Sequence, residues 1–143
     1  MPAGNDLRAR LARATGLYRG RGDGPETGPF IARMAVGTAV GGRVVTLDYE
    51  ATSDSNGLQH VEHTLLVAGE SGRLELHVTS LELPGVVRFT EQQPGQFTAY
   101  EGPLVARIML TLPQPDAISY AWWWSRGESE PQEQSRAELR RTG

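Results

Sequence analysis

From Gly16 onward, apolar and polar residues alternate with period two in short runs. Turn-forming clusters separate the runs: Gly41-Gly42, Ser55-Asn56-Gly57, the stretch Gly69 to Gly72, Pro84-Gly85, Pro94-Gly95, Gly102-Pro103 and the stretch Pro113 to Asp116. Alternation places successive side chains on opposite faces of a pleated strand, and Gly, Pro, Asn and Asp are the residues that tight reversals need. The pattern predicts about ten strands, near 16–23, 29–40, 43–53, 58–68, 73–83, 86–93, 96–101, 104–112, 117–126 and 134–141. No gap between them is long enough for a crossover helix, and an open sheet of that width tends to curl or close. The expected fold is therefore all-β, an antiparallel up-and-down meander barrel. Ahead of it, Asn5 or Asp6 can cap a short helix that carries Leu7 and Leu11 on one face and stops before Gly16. Residues 1–15 thus read as a helical cap on one domain spanning 1–143.

Each hairpin turn fixes which residues face each other, and a slip of one residue turns a whole strand inside out. Pairing across Gly41-Gly42 sets Met34 opposite Tyr49 and Val36 opposite Leu47, with Arg33 and Glu50 together on the other face. A three-residue loop at 55–57 sets Tyr49 opposite His63 and Leu47 opposite Leu65, and a turn at 69–72 sets His63 opposite Val78. On this count His60, Glu62, Thr64, Glu75 and His77 face outward. The shortest remaining turns place Phe89, Glu91, Thr98, Tyr100, Val105, Arg107, Met109, Tyr120, Trp122 and Trp124 inside. Charges enclosed by a barrel need partners, so Glu91 and Arg107 are expected to pair with each other or to meet a ligand of opposite charge.

A binding site follows from that interior: Tyr49, His63, Phe89, Glu91, Tyr100, Arg107, Met109, Tyr120, Trp122 and Trp124. Arg107, helped by Tyr100 or Tyr120, would hold the anionic or carbonyl end of a small hydrophobic molecule whose body lies on the aromatic residues. No residue takes a catalytic or metal-binding role. His63, alone on an apolar face, reads as a core histidine bonded to Tyr49. His60 and His63 point to opposite faces of one strand, so His60-Val61-Glu62-His63 is not a zinc motif. Glu82, at a turn end, is the only second acid near Glu91, and no serine sits in a G-x-S-x-G elbow. Two other readings remain open. One is a barrel enzyme using Glu91, His63 or a tyrosine for proton transfer. The other is a filled barrel acting through its surface, with Phe97, Ile108, Leu110 and Trp123 as a homodimer or partner patch.

Composition narrows the chemistry further. All 14 basic residues of the 143 are arginine and the net charge is −3, with no basic run to follow a phosphate backbone, so nucleic acid is not an expected partner. The lack of lysine removes Schiff-base catalysis, and the lack of cysteine removes thiol nucleophiles, disulfides and thiolate metal sites. No stretch reaches the length of a membrane span and the first residues lack an apolar leader segment, so a cytoplasmic protein is expected.

The short helix, Gly16-Leu17-Tyr18 and the glycine-rich run Tyr18-Arg19-Gly20-Arg21-Gly22 together resemble the calycin superfamily: lipocalins, fatty-acid-binding proteins and bacterial nitrobindin-like barrels. The resemblance implies that Gly16 and Tyr18 stand at the closed end against a basic residue of the last strand, Arg136 or Arg140. It also implies a carrier or sensor of a small hydrophobic molecule. Nitrobindin-like domains bind haem through a histidine late in the chain. No histidine follows His77 here, so neither haem nor another cofactor is expected.

Overall fold

The computed structural model describes residues 6–53, 55–127 and 130–142. One helix precedes ten strands: α1 (Leu7–Ala12), β1 (Gly16–Asp23), β2 (Phe30–Ala39), β3 (Val44–Ser53), β4 (Gly57–Ala68), β5 (Leu74–Ser80), β6 (Val87–Gln93), β7 (Gln96–Glu101), β8 (Leu104–Gln114), β9 (Ala117–Arg126) and β10 (Gln132–Arg141). Each strand pairs antiparallel with its neighbour in the chain, and β1 also pairs with β10, closing the barrel. The meander barrel expected from the alternation is the observed fold, and most strand limits agree to within a residue or two.

Closure depends on β1. Its inward positions run Tyr18, Gly20, Gly22, and a Cβ on Gly20 would lie 1.8 Å from the backbone oxygen of Glu138 on β10. A Cβ on Gly22 would lie 2.2 Å from the ring of Phe30. Without side chains at these two places the strand bends tightly enough to reach β2 on one side and β10 on the other. Tyr18 is fully buried, donates its hydroxyl to the Ala14 carbonyl at 2.6 Å, and stands in register with Arg141 rather than with Arg136 or Arg140.

Helix α1 covers the end where β2–β3, β4–β5, β6–β7 and β8–β9 turn. Asp6 caps it by accepting from the Ala9 amide at 2.8 Å, and Leu7 and Leu11 are buried. Arg8 and Arg10 donate to the carbonyls of Arg43 and Leu112 at 2.8 and 2.9 Å, fastening the helix to the β2–β3 turn and to the last part of β8. The half of the barrel beneath the helix is solid, filled by Leu47, Leu66, Leu76, Phe97, Ile108, Leu110, Ile118 and Leu139.

Two β-bulges overturn part of the inside-outside assignment. The turn after β3 sets Ser53 opposite Gly57, but the register then shifts between Ala51 and Thr52, leaving Gln59 as the extra residue. Tyr49 therefore faces Glu62 instead of His63, and β4 is inverted: His60, Glu62, Thr64 and Leu66 point in, whereas His63 and Leu65 point out. A loop one residue longer than expected, 69–73, pairs Ala68 with Leu74 and restores β5 to its expected face. A second bulge between Glu91 and Gln93 sets Glu91 opposite Phe97 and inverts β7 and β8 in the same way. A third, between Thr111 and Gln114, returns β9 to the expected face.

Substituting Gly20 by Ala is expected to destabilise the barrel by at least about 3 kcal/mol, because the clash is with backbone and no rotamer relieves it. Arg19→Ala, one position earlier and exposed, should stay within about 0.5 kcal/mol. Urea unfolding of the two variants checks this.

Candidate functional site

The inward rows lose bulk toward the end opposite the helix. On β3 the row reads Val45, Leu47, Tyr49, Ala51, and on β8 Leu112, Leu110, Ile108, Ala106. Ala51 and Ala106 are too small to meet across the barrel, and a cavity of about 290 Å³ opens there. Phe30, Leu83, Leu104, Trp122 and Trp124 line its apolar walls, with Gln59, Ser80, Gln134 and Ser135 at its edge. Such a volume lies at the small end of the range for ligand pockets, about 300–1,000 Å³.

A connected polar cluster forms the rest of the lining. Glu62, with its side chain 1% exposed, accepts from Tyr120 Oη and, at 3.5 Å, from Trp122 Nε1, both to Oε1. Its Oε2 lies 2.8 Å from His60 Nε2. The other ring nitrogen of His60, Nδ1, lies 2.8 Å from Glu82 Oε2 in the β5–β6 connection. Aromatic edges hold the cluster in place: Tyr49 packs on Tyr120 at 4.7 Å between ring centroids, His60 on Trp122 at 5.9 Å, and Phe89 on Trp122 at 5.5 Å.

The electrostatics follow from this geometry. Burial alone would lower the pKa of His60, but the hydrogen bonds and charges of Glu62 and Glu82 outweigh it and push the imidazole up to about 9. Burial, reinforced by the negative charge of Glu62, raises both Tyr49 and Tyr120, so the two phenols remain protonated donors. With both ring nitrogens committed to carboxylates, His60 is a charged link in a chain of hydrogen bonds running from Glu82 through Glu62 to Tyr120.

Of the site residues expected from the sequence, Tyr49, Trp122 and Trp124 line the cavity, and Tyr120 and Phe89 support it from beneath. Glu91 points inward at the helix-covered end, where it is half-buried and accepts from the Gly95 amide at 3.3 Å. Four residues lie outside the barrel. His63 bonds Asp48 on the outer face of β4 and β3. Tyr100 is 71% exposed. Arg107 and Met109 follow β8 outward, Arg107 in register with Thr98 and Trp123, so it neither pairs with Glu91 nor reaches a ligand inside. The patch proposed on the outside is likewise displaced, since Phe97, Ile108 and Leu110 are core residues with no exposed surface.

Counting through the turns missed His60 and Glu62. The signal lay in their spacing: residues two apart on a strand share a face, so a buried Glu62 brings His60 in with it. His60 and His63 do occupy opposite faces, as expected. Among the described residues no group of three acidic, histidine or cysteine side chains is arranged to hold a metal ion.

No family model matches the sequence, and a search of curated proteins finds no relative. Solved structures of similar shape exist. Rv2717c from M. tuberculosis has a TM-score of 0.63 at 18% identity, over 93% of this chain and 95% of that one. The S-type phycobiliprotein lyase CPES from Guillardia theta has a TM-score of 0.62 at 12% identity, over 96% and 93%. A de novo designed fluorescence-activating β-barrel has a TM-score of 0.52 at 12% identity, over 93% and 98%. At these identities the likeness is one of fold: a closed antiparallel barrel.

The raised pKa of His60 has a signed consequence. A group whose folded pKa exceeds its unfolded value contributes stability that is complete below the unfolded pKa, 6.5, and is lost as pH rises through about 9. Stability should therefore fall between about pH 6.5 and 9.5 by on the order of 1–3 kcal/mol. His60→Gln should flatten that limb, and the His60 ring signals in NMR should titrate near 9. A midpoint at the ordinary histidine value would contradict the buried link.

Proposed function

We propose that this chain is a non-catalytic calycin-like binding protein, a carrier or sensor, that holds a small hydrophobic molecule in the open half of its barrel. The observation that carries this reading is the division of the interior. Large aliphatic side chains fill one half, whereas the other narrows to Ala51 and Ala106 and leaves an aromatic-walled cavity ending on a hydrogen-bonded polar cluster. A cavity with apolar walls and a few fixed polar groups is what small-molecule sites generally present. The similar structures support it: one is a designed fluorescence-activating barrel, and another with the same TM-score, 0.52, is bound to DFHBI.

The size of the cavity, about 290 Å³, limits the ligand to a compact body such as a small fused-ring system. Haem has no place in this reading. His60 has both ring nitrogens engaged by carboxylates, and His63 and His77 lie on the outer face bonded to Asp48 and Glu75. The enzyme reading, built on Glu91, His63 or a tyrosine, loses Glu91 and His63, since neither reaches the cavity, and keeps Tyr49 on the lining.

The neutral fluorophore prodan tests the site. It is expected to bind the protein with a blue-shifted emission, and Ala106→Phe should weaken binding at least about tenfold while leaving the thermal midpoint unchanged or raised, because the new ring fills space that is already open. Equal binding by the variant would place the probe elsewhere and remove the support for this cavity.

A further inference from the structure

The cavity holds a charge that the chain does not neutralise. Each ring nitrogen of His60 faces a carboxylate oxygen at 2.8 Å, Glu62 on one side and Glu82 on the other. Both contacts are satisfied together when both nitrogens carry protons, which makes the ring an imidazolium. Two carboxylates against one imidazolium leave a net negative charge. No arginine is among the described residues lining the cavity, and the chain has no lysine.

That charge is not evenly covered. Glu62 is enclosed and accepts from Tyr120, Trp122 and His60. Glu82 is 52% exposed at the mouth of the cavity and, among the described residues, His60 is the only side chain bonded to it. A second and independent observation concerns Tyr49. It is 3% exposed, lines the cavity, and its hydroxyl makes no hydrogen bond to a described residue. Its oxygen keeps some exposed surface, so it opens on the cavity and is available to a bound molecule in place of water. The walls add a third preference, because they are aromatic, with Trp122, Trp124 and Phe30 among the lining residues, and aromatic rings attract positive charge at their faces.

We infer that the ligand is a cationic amphiphile, a compact aromatic body carrying a protonated amine or amidine whose N–H groups are drawn to Glu82 and to the Tyr49 oxygen. This rests on the binding reading above and sharpens it to one chemical class. It reverses the anionic preference expected when Arg107 was placed inside. A carboxylate of the same shape would add a second negative charge beside Glu82.

Isothermal titration at about pH 7 with three molecules of one shape tests it: 2-naphthylmethylammonium, 2-naphthylmethanol and 2-naphthoate. The ammonium compound should bind about tenfold tighter than the alcohol, and the carboxylate should bind more weakly than either. Glu82→Gln, a change at a half-exposed position, should remove most of the preference for the ammonium compound over the alcohol. If naphthoate binds as tightly as the ammonium compound, or if Glu82→Gln leaves the preference intact, the cation assignment falls while the binding cavity stands. If none of the three binds, the cavity reading falls and this inference with it.

Discussion

A carboxylate inside a β-barrel tolerates few surroundings, and the placement of Glu62 constrains much of what lies around it. Its side chain is 1% exposed, and an ionised group at that depth is severely destabilising unless donors meet its oxygens. Three donors do so: a phenol, an indole and an imidazole, from Tyr120, Trp122 and His60. These come from two strands, β9 and β4, that face each other across the barrel, so satisfying one charge ties opposite walls together. It also dictates the state of each donor, holding the phenol protonated and the imidazole charged.

Two different materials make up the interior. Beneath α1 the barrel is an aliphatic core, closed by a helix whose arginines bind carbonyls of the β2–β3 turn and of β8, and by a first strand whose glycines permit the final pairing. Above the level of Glu62 the same rows run out of bulk at Ala51 and Ala106. The solid half supplies stability, which frees the open half to be a cavity, and the Glu62 cluster forms the boundary between them. His60 and Glu82 extend that boundary to the mouth, so the polar chain reaches from the core to the place where a ligand enters.

The strands and their order were legible in the sequence because alternation and turn residues are local signals. The parity of each strand was legible only as far as the turns could be counted. At Gln59 and again near Glu91, a bulge adds one residue that no turn motif announces, and one residue is enough to invert a strand. The inversions cancel at the next irregular turn, which is why β5 and β9 kept their expected faces while β4, β7 and β8 did not. The aromatic half of the site, Tyr49, Tyr120, Trp122 and Trp124, was therefore visible, and its ionic half was not. Nothing local distinguishes Glu62 from the outward Glu50 or Glu75. What singles it out is the company of Tyr120 and Trp122, which are distant in sequence and adjacent only once the barrel has closed.

The register of β3 against β4 is the point on which the cavity chemistry turns. Interstrand nuclear Overhauser contacts measure it directly on the labelled protein. Backbone contacts joining Tyr49 to Glu62 and Ala51 to His60, with side-chain contacts from the Tyr120 ring to Glu62, are the expected result. Contacts joining Tyr49 to His63 would turn Glu62 and His60 out to solvent and contradict the account.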